Sequence, residues 1–427
     1  MGRNGRNSGR CRVLYAGAHG IRNAGDELPL LLMREQLEAL HPARAFTHRA
    51  LSRHPDPWAE EQLKVRHVPN PEHPSSAEAR GRWFRGLNPG DDTAPLRRLT
   101  AEIRAADLLV IGAGNALTDL TIDVLRGPIP LLALYGFLAQ VHGTPVALYG
   151  MSVGPLRTRH GRDLAGWLAR SAAVVTVRDR ESAELLRQLT DERVPIHLLP
   201  DATLAAEPAS AHQARRALAD EGIDPAPGPW LAVGMRDPAR VLGREAGAAA
   251  DAALVATLDA FADTHRVLFV PQSTYVEDDD RAHAARIAGR TRAQCHQVRG
   301  RHHPRVLMTL YGLADATLAG RLHAAVFSAA AGTPAVALGY LPKMRGFFEL
   351  LGRPGDCLTP ADWSNGGLTA ALGRLLADRA AAAADVRARV AALRLRACDH
   401  ARLVATLVDR NPGSAGRKSP GVSLHSH

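Results

Sequence analysis

One unit recurs along this chain and restricts its fold more than any other feature: a short apolar run, a turn bearing glycine or charge, then a helical stretch. The runs occupy residues 12–17, 107–111, 146–149, 173–177, 230–233, 266–270, 317–319 and 335–338. They are continuous in small and branched apolar residues, which marks strands buried on both faces of a parallel sheet. Such strands alternating with helices build doubly wound α/β domains joined by right-handed crossovers. The pattern breaks at residues 205–229, with Glu207-Pro208-Ala209-Ser210 and Pro225-Ala226-Pro227-Gly228-Pro229. At 427 residues the chain is also too long for a single core. The expectation is two Rossmann-like parallel-sheet domains facing a cleft. Residues 12–205 form the N-terminal domain, 206–229 a linker, 230–365 the C-terminal domain and 366–410 C-terminal helices. Residues 1–11 and 411–427 are expected as disordered tails.

In folds of this kind ligands gather at the carboxyl ends of the strands, and the chemistry-bearing residues fall there repeatedly. The densest case is Gly320-Arg321-Leu322-His323. Glycine permits the turn, and the helix start behind it offers free N–H groups and a positive dipole end to an anion. Arginine adds a planar fork for phosphate or carboxylate, and histidine moves protons near neutral pH. The next run leads to Gly339-Tyr340-Leu341-Pro342-Lys343. Lysines are Lys64, Lys343 and Lys418 among 53 basic residues, so a lysine directly after a core strand stands out. Arg178 and Arg236 follow the runs at 173–177 and 230–233.

The first half has its own strand-end loops. Asn23-Ala24-Gly25-Asp26-Glu27 precedes a helix starting near Pro29, and Gly112-Ala113-Gly114-Asn115 leads to Asp119. The latter reads as a tight turn admitting substrate to the backbone, with Asn115 and Asp119 as polar handles. It is not a dinucleotide fingerprint, because Leu117 stands where the third glycine is needed. Asp278-Asp279-Asp280 reads as a helix start instead of a metal site. Residues 51–100, rich in Pro, His, Asp and Arg, read as an irregular excursion near the site.

Net charge is +10, but apart from Arg3, Arg6, Arg10 and Arg12 the arginines are dispersed. With aromatics at 4%, base stacking is disfavoured, and the basic balance points to an anion-handling enzyme without a nucleic-acid partner. Cys11, Cys295, Cys357 and Cys398 are far apart with no C-x-x-C, which fits reduced thiols in the cytoplasm and no zinc site. The longest apolar stretch, residues 129–141, is too short to span a bilayer. Membrane insertion is not expected, and peripheral contact with the inner membrane surface through basic residues stays open.

With these segments in order, the chain resembles the polysaccharide pyruvyl transferase family from about residue 12 to 352. The resemblance is carried by Asn23-Ala24-Gly25-Asp26-Glu27, Ile111-Gly112-Ala113-Gly114, Gly154-Pro155, Val177-Arg178-Asp179-Arg180-Glu181-Ser182, Pro200-Asp201, Gly320-Arg321-Leu322-His323-Ala324 and the run Tyr340 to Lys343. It departs in the glycine-rich turn, often three consecutive glycines in the family and Gly112-Ala113-Gly114-Asn115 here, and in the excursion at 51–100. The resemblance implies a fold similar to GT-B glycosyltransferases. It also implies phosphoenolpyruvate as donor and a sugar diol as acceptor, on a polymer precursor, a lipid-linked sugar or a glycosylated natural product. The product is a cyclic pyruvate ketal, phosphate is released, and no cofactor or metal is called for. On this reading Arg321, Leu322, Arg236, Arg178 and Lys343 bind the donor, and His323 is the general acid. Asp26 is the base, and Asn23, Asn115 and Asp119 meet the acceptor. Two alternatives are a nucleotide-sugar glycosyltransferase on the same architecture and a non-catalytic binding partner. The first lacks a convincing E-x7-E pattern near 320–350; the presence of both Arg321 and His323 counts against the second.

Overall fold

The computed structural model of the protein describes residues 10–71, 93–119, 128–226 and 228–410. The first sheet contains β1 (Arg10–Ala16), β2 (Ala45–Ser52), β3 (Arg66–Pro69), β4 (Leu108–Leu117), β5 (Val146–Val153), β6 (Val174–Val177) and β7 (Ile196–Leu198). The second contains β8 (Trp230–Gly234), β9 (Arg266–Phe269), β10 (Cys295–Gln297), β11 (Ala316–Ala319), β12 (Ala335–Leu338) and β13 (Cys357–Leu358). Their orders are β3-β2-β1-β4-β5-β6-β7 and β10-β9-β8-β11-β12-β13, and neighbouring strands run parallel. Both sheets therefore reverse their winding beside the first strand, between β1 and β4 and between β8 and β11. That reversal opens a crevice at the carboxyl ends. The two-domain expectation holds.

The helix Ala24–Leu40 ties the halves together. Asn23 starts it, accepting a hydrogen bond from Gly25 N at 2.9 Å. Pro29 falls in the second turn, not the first, so it removes the intrahelical bond to the carbonyl of Gly25. Leu28, Leu31, Met33 and Leu37 are fully buried in a core that also takes in Leu322, Val326 and Phe327 of the helix Leu322–Ala330. Each such side chain contributes about 1.5–3 kcal/mol on burial, so one apolar core holds both domains. The helices Arg379–Ala397 and Asp399–Arg410 then cross back onto the first domain. There the buried His400 contacts Thr176 Oγ1 at 2.7 Å and the carbonyl oxygen of Pro200 at 2.8 Å.

The structure departs from the sequence reading at three places. The stretch 51–100 is not all irregular: it holds the end of β2, the helix Pro57–Leu63, β3 and part of the helix Ala94–Ala105. Residues 72–92 within it lie outside the described residues, as do the tails 1–9 and 411–427. The expected linker contains a helix, Ala211–Asp220, closed by a capping box between Ser210 and Gln213 and anchored by the buried Ala214 and Leu218. The glycine turn after residue 111 is instead a continuation of β4, with its register against β5 shifting between Gly114 and Leu117.

Candidate active site

Three helices begin at the gap between the two crevices: Ala24–Leu40 from the first domain, Leu322–Ala330 and Pro342–Leu350 from the second. Their N-termini add positive potential there. His323 occupies the meeting point. Its ring lies on the backbone of Gly25, where a Cβ would stand 1.9 Å from Nδ1. Its Nε2 is 3.3 Å from Arg178 Nη1 and 3.7 Å from Asp201 Oδ2.

Arg178 is itself fixed. Its Nη1 donates to Asp201 Oδ2 at 2.8 Å and its Nε to Ser152 Oγ at 2.8 Å. Ser152 passes a hydrogen bond on to Asp179 Oδ2. The side chains of Arg178 and Asp201 are each 4% exposed. A guanidinium N–H facing Nε2 makes that nitrogen the acceptor of the ring. Burial is the main force holding His323 below the ordinary histidine range. Asp201 opposes it, while the charges of Arg178, Lys343 and Arg321 reinforce it. Arg178 sits closer to Asp201 than His323 does, so it satisfies the carboxylate that would otherwise keep a proton on the ring. Asp201 is accordingly held well below the carboxylate range against the effect of burial, by Arg178 first and then by His323 and Thr203.

Arg321, at the start of the helix Leu322–Ala330, is clamped rather than extended into the gap. Its Nε donates to Asp280 Oδ1 at 3.0 Å and its Nη1 to Asp278 Oδ2 at 2.9 Å. Asp280, 2% exposed, also accepts from the backbone N–H groups of Gln272 and Ser273 at 3.0 Å each. Asp278 shares its other oxygen with Arg236 Nη2 at 3.0 Å, and the buried Nε of Arg236 has no hydrogen-bond partner. Of the three aspartates read as a helix start, only Asp279 caps the helix, through Arg281 N. The other two hold arginines.

Lys343 and Asp26 act on each other across the gap. Burial chiefly, with the repulsion of Arg178, brings the Lys343 ammonium down to about 8, and Asp26 works the other way. Burial raises the Asp26 carboxyl to about 6 although Lys343, Arg178 and Arg321 pull it down. Gly114, at φ 132°, brings the backbone of β4 against Asp26: a Cβ there would lie 3.0 Å from Oδ1. Arg178, Arg236, Arg321 and Lys343 thus face Asp26, Asp201, Asp278 and Asp280, and the cluster carries no net charge when all are ionised.

The residues expected to meet an acceptor are placed differently. Asn23 spends its side-chain oxygen on capping its helix, and its backbone bridges to Ser273 of the second domain. Asp119 is buried, and its oxygens accept from Arg157 N at 2.9 Å and from Thr158 N and Oγ1 at 2.6 and 2.8 Å. Those bonds hold its carboxyl below the ordinary range in spite of burial. It therefore anchors the loop before the helix Arg159–Ser171. The side chain of Asn115 lies outside the described residues. Leu322 is buried in the core, which leaves its backbone N–H as the group a donor could meet. Among the described residues no cluster of three or more His, Cys, Asp or Glu is arranged to hold a metal ion.

The sequence reading gives Asp201 and Ser152 no role at the site, and Asp278 and Asp280 only that of a helix start. The motif Pro200-Asp201 was visible, but its pairing with Arg178 requires the chain to fold β6 beside β7.

No curated protein matches the chain. Among solved structures it resembles a UDP-GlcNAc 2-epimerase from Methanocaldococcus jannaschii, with a TM-score of 0.56 and 11% identity over 86% of this chain and 92% of that one. An α,α-trehalose 6-phosphate synthase from Burkholderia multivorans superposes with a TM-score of 0.55 and 14% identity, covering 94% and 99% of the two chains. MurG from Acinetobacter baumannii gives 0.50 and 13%, over 94% and 99%. At these identities the likeness is one of fold. The model of the polysaccharide pyruvyl transferase family matches residues 23–342, from the asparagine that caps the first helix to the turn before Lys343, and the chain belongs to that family.

Proposed function

We propose that the protein transfers the pyruvate unit of phosphoenolpyruvate onto two hydroxyls of a sugar, forming a cyclic ketal and releasing inorganic phosphate. The observation that carries this reading is His323, its ring on the backbone of Gly25 and its Nε2 3.3 Å from Arg178 Nη1, with Asp26, a carboxylate that burial raises to about 6, next to Gly25 in the chain. Phosphoenolpyruvate brings a phosphate and a carboxylate. Lys343, the unpaired Nε of Arg236 and the starts of the helices Leu322–Ala330 and Pro342–Leu350 are free to receive them. Arg178 and Arg321, already paired, act as fixed positive charges that need no reorganisation.

The chemistry follows from charge. Protonating the methylene carbon makes the neighbouring carbon electrophilic, and His323 is the proton donor. A neutral ring at pH 7 must first gain that proton, and the arriving anion supplies the field that lets it do so. The first sugar hydroxyl adds to the cationic carbon, phosphate leaves, and the second hydroxyl closes the ketal. Of the two hydroxyl protons released, one replaces the proton given to the methylene and the other departs with phosphate. Asp26 receives the hydroxyl proton, and a carboxylate near 6 suits that task better than an ordinary one. The reaction needs no resident cofactor, and its donor places it in the cytoplasm.

The test is acceptor-dependent phosphate release. The protein is incubated with phosphoenolpyruvate and, in turn, nucleotide sugars, lipid-linked sugars and free glycosides carrying a vicinal or 1,3-diol. The proposal requires one phosphate per ketal formed with at least one acceptor class, and none from His323→Gln. Turnover of a nucleotide sugar to free nucleotide without any use of phosphoenolpyruvate would discard it.

A further inference from the structure

The helix Pro128–His142 covers the outer side of the first sheet, between the helices Ala94–Ala105 and Arg159–Ser171. In its 15 residues it carries no Asp, Glu, Lys or Arg. Its inner side is buried, and its outer side carries an apolar stripe. Phe137 is 52% and Val141 61% exposed, one turn apart, with the half-buried Leu134 and Leu138 completing the stripe. The other exposed large apolar side chains, Leu40, Val241, Val276 and Leu395, each stand on a different segment. Gln140 is the exposed polar residue beside this stripe, and exposed neighbouring apolar side chains on a helix without charge mark a surface that something covers.

The surroundings say what. On the neighbouring helix Arg97, Arg98 and Arg104 are exposed. Beyond that helix's last turn opens a cavity of about 570 Å³ lined by Arg10, Arg12, Arg49, Lys64 and Arg66 together with Glu38 and Glu102. Glu102 is paired with Arg49 at 2.9 Å and Glu38 with Arg34 at 2.7 Å. The cavity rim is therefore cationic on balance. Helix Pro128–His142 runs antiparallel to the strands it crosses between, so Phe137 and Val141, in its second half, lie toward the amino ends of the sheet, as the cavity does. The active-site gap lies at the opposite, carboxyl ends.

We propose that this face docks the protein on an anionic lipid bilayer. Phe137 and Val141 enter the boundary between headgroups and acyl chains while the flanking arginines bind lipid phosphates. A second copy of the chain is the poorer partner, because an isologous contact through the stripe would set arginine rims against each other. No helix among the described residues is long and apolar enough to cross a membrane, so the contact is peripheral. Docking through the amino ends leaves the gap unobstructed, and the proposal is independent of which reaction the gap performs.

The experiment is co-sedimentation of the full-length protein with phosphatidylglycerol/phosphatidylcholine vesicles and with phosphatidylcholine alone. The double variant Phe137→Ser, Val141→Ser and the pair Arg97→Glu, Arg104→Glu are run beside the wild type. Partitioning onto anionic vesicles should exceed that onto neutral ones by about tenfold or more and fall by a similar factor in each variant. Thermal melting and phosphoenolpyruvate binding should be unchanged, since the substituted side chains are exposed and far from the gap. The proposal is overturned if neither vesicle is bound, or if the serine variant binds as the wild type does. It is equally overturned if sedimentation velocity shows a wild-type dimer that the serine variant converts to monomer.

Discussion

The imidazole of His323, carried by the second domain, lies directly on the Cα of Gly25 in the first, so closely that a methyl group there would stand 1.9 Å from Nδ1. Gly25 is helical, and nothing in its backbone requires glycine; the histidine does. Gly25→Ala should leave each sheet folded but force the ring off Arg178 or the domains apart. Turnover is expected to fall by about a hundredfold, as for a misplaced catalytic group. Stability should fall by about 1–3 kcal/mol, as for overpacking. Steady-state kinetics and chemical denaturation measure both. Full activity in the variant would mean that His323 is not held where the structure has it.

Lys343 makes a second prediction. Its ammonium titrates near 8 because burial and Arg178 disfavour the charge. Donor binding should weaken as pH rises through 8, with KM for phosphoenolpyruvate climbing and kcat less affected. Lys343→Arg should move that limb out of range, because guanidinium stays charged. The stability sign runs the other way. The folded pKa lies below the unfolded value of 10.5, so the unfolded chain holds the proton more tightly and the charged lysine destabilises the free protein below pH 8. Lys343→Met should raise stability at pH 7 by on the order of 1–3 kcal/mol while abolishing donor binding, as read by thermal melting and calorimetry.

Asp280 carries a third. Removing it with Asp280→Ala leaves the buried guanidinium of Arg321 with Asp278 as its remaining carboxylate and strands two backbone N–H groups, those of Gln272 and Ser273. A loss of about 3–5 kcal/mol is expected, as for breaking a buried ion pair. Asp278→Asn, at a side chain 25% exposed, should cost under about 1–2 kcal/mol and act mainly on KM. Denaturant titrations of the two variants separate these effects, and equal losses would contradict the distinction.

How far the sequence reached depends on burial. The strands at the centre of each sheet, such as β5 and β11, are buried along their whole length, and their continuous apolar runs were legible. The edge strands β3 and β10 have polar or mixed composition, Arg66-His67-Val68-Pro69 and Cys295-His296-Gln297, because one side is paired and the other is not. No period marks them. The catalytic candidates were visible as residue types at strand ends, since Arg321, His323 and Lys343 stand out locally. Their partners were not, because Asp201 lies 122 residues from His323 in the chain and Asp280 41 from Arg321. Asp119 misled for a related reason: an aspartate after a strand reads the same whether it faces a ligand or caps a loop.

On the proposed reaction His323 receives a proton when the donor arrives. In the free protein the ring is held neutral by burial, and the surrounding charges balance. A trianionic donor tips that balance toward protonation. Titration of phosphoenolpyruvate into the protein at pH 7, in buffers of different ionisation enthalpy, measures the protons taken up. Uptake of about one proton is predicted for the wild type, as the histidine pKa moves from below to above 7, and close to none for His323→Gln, which should still bind. Binding without proton uptake in the wild type, or uptake unchanged in the variant, would remove His323 as the acid, and heat from nucleotide sugars alone would reject the donor itself.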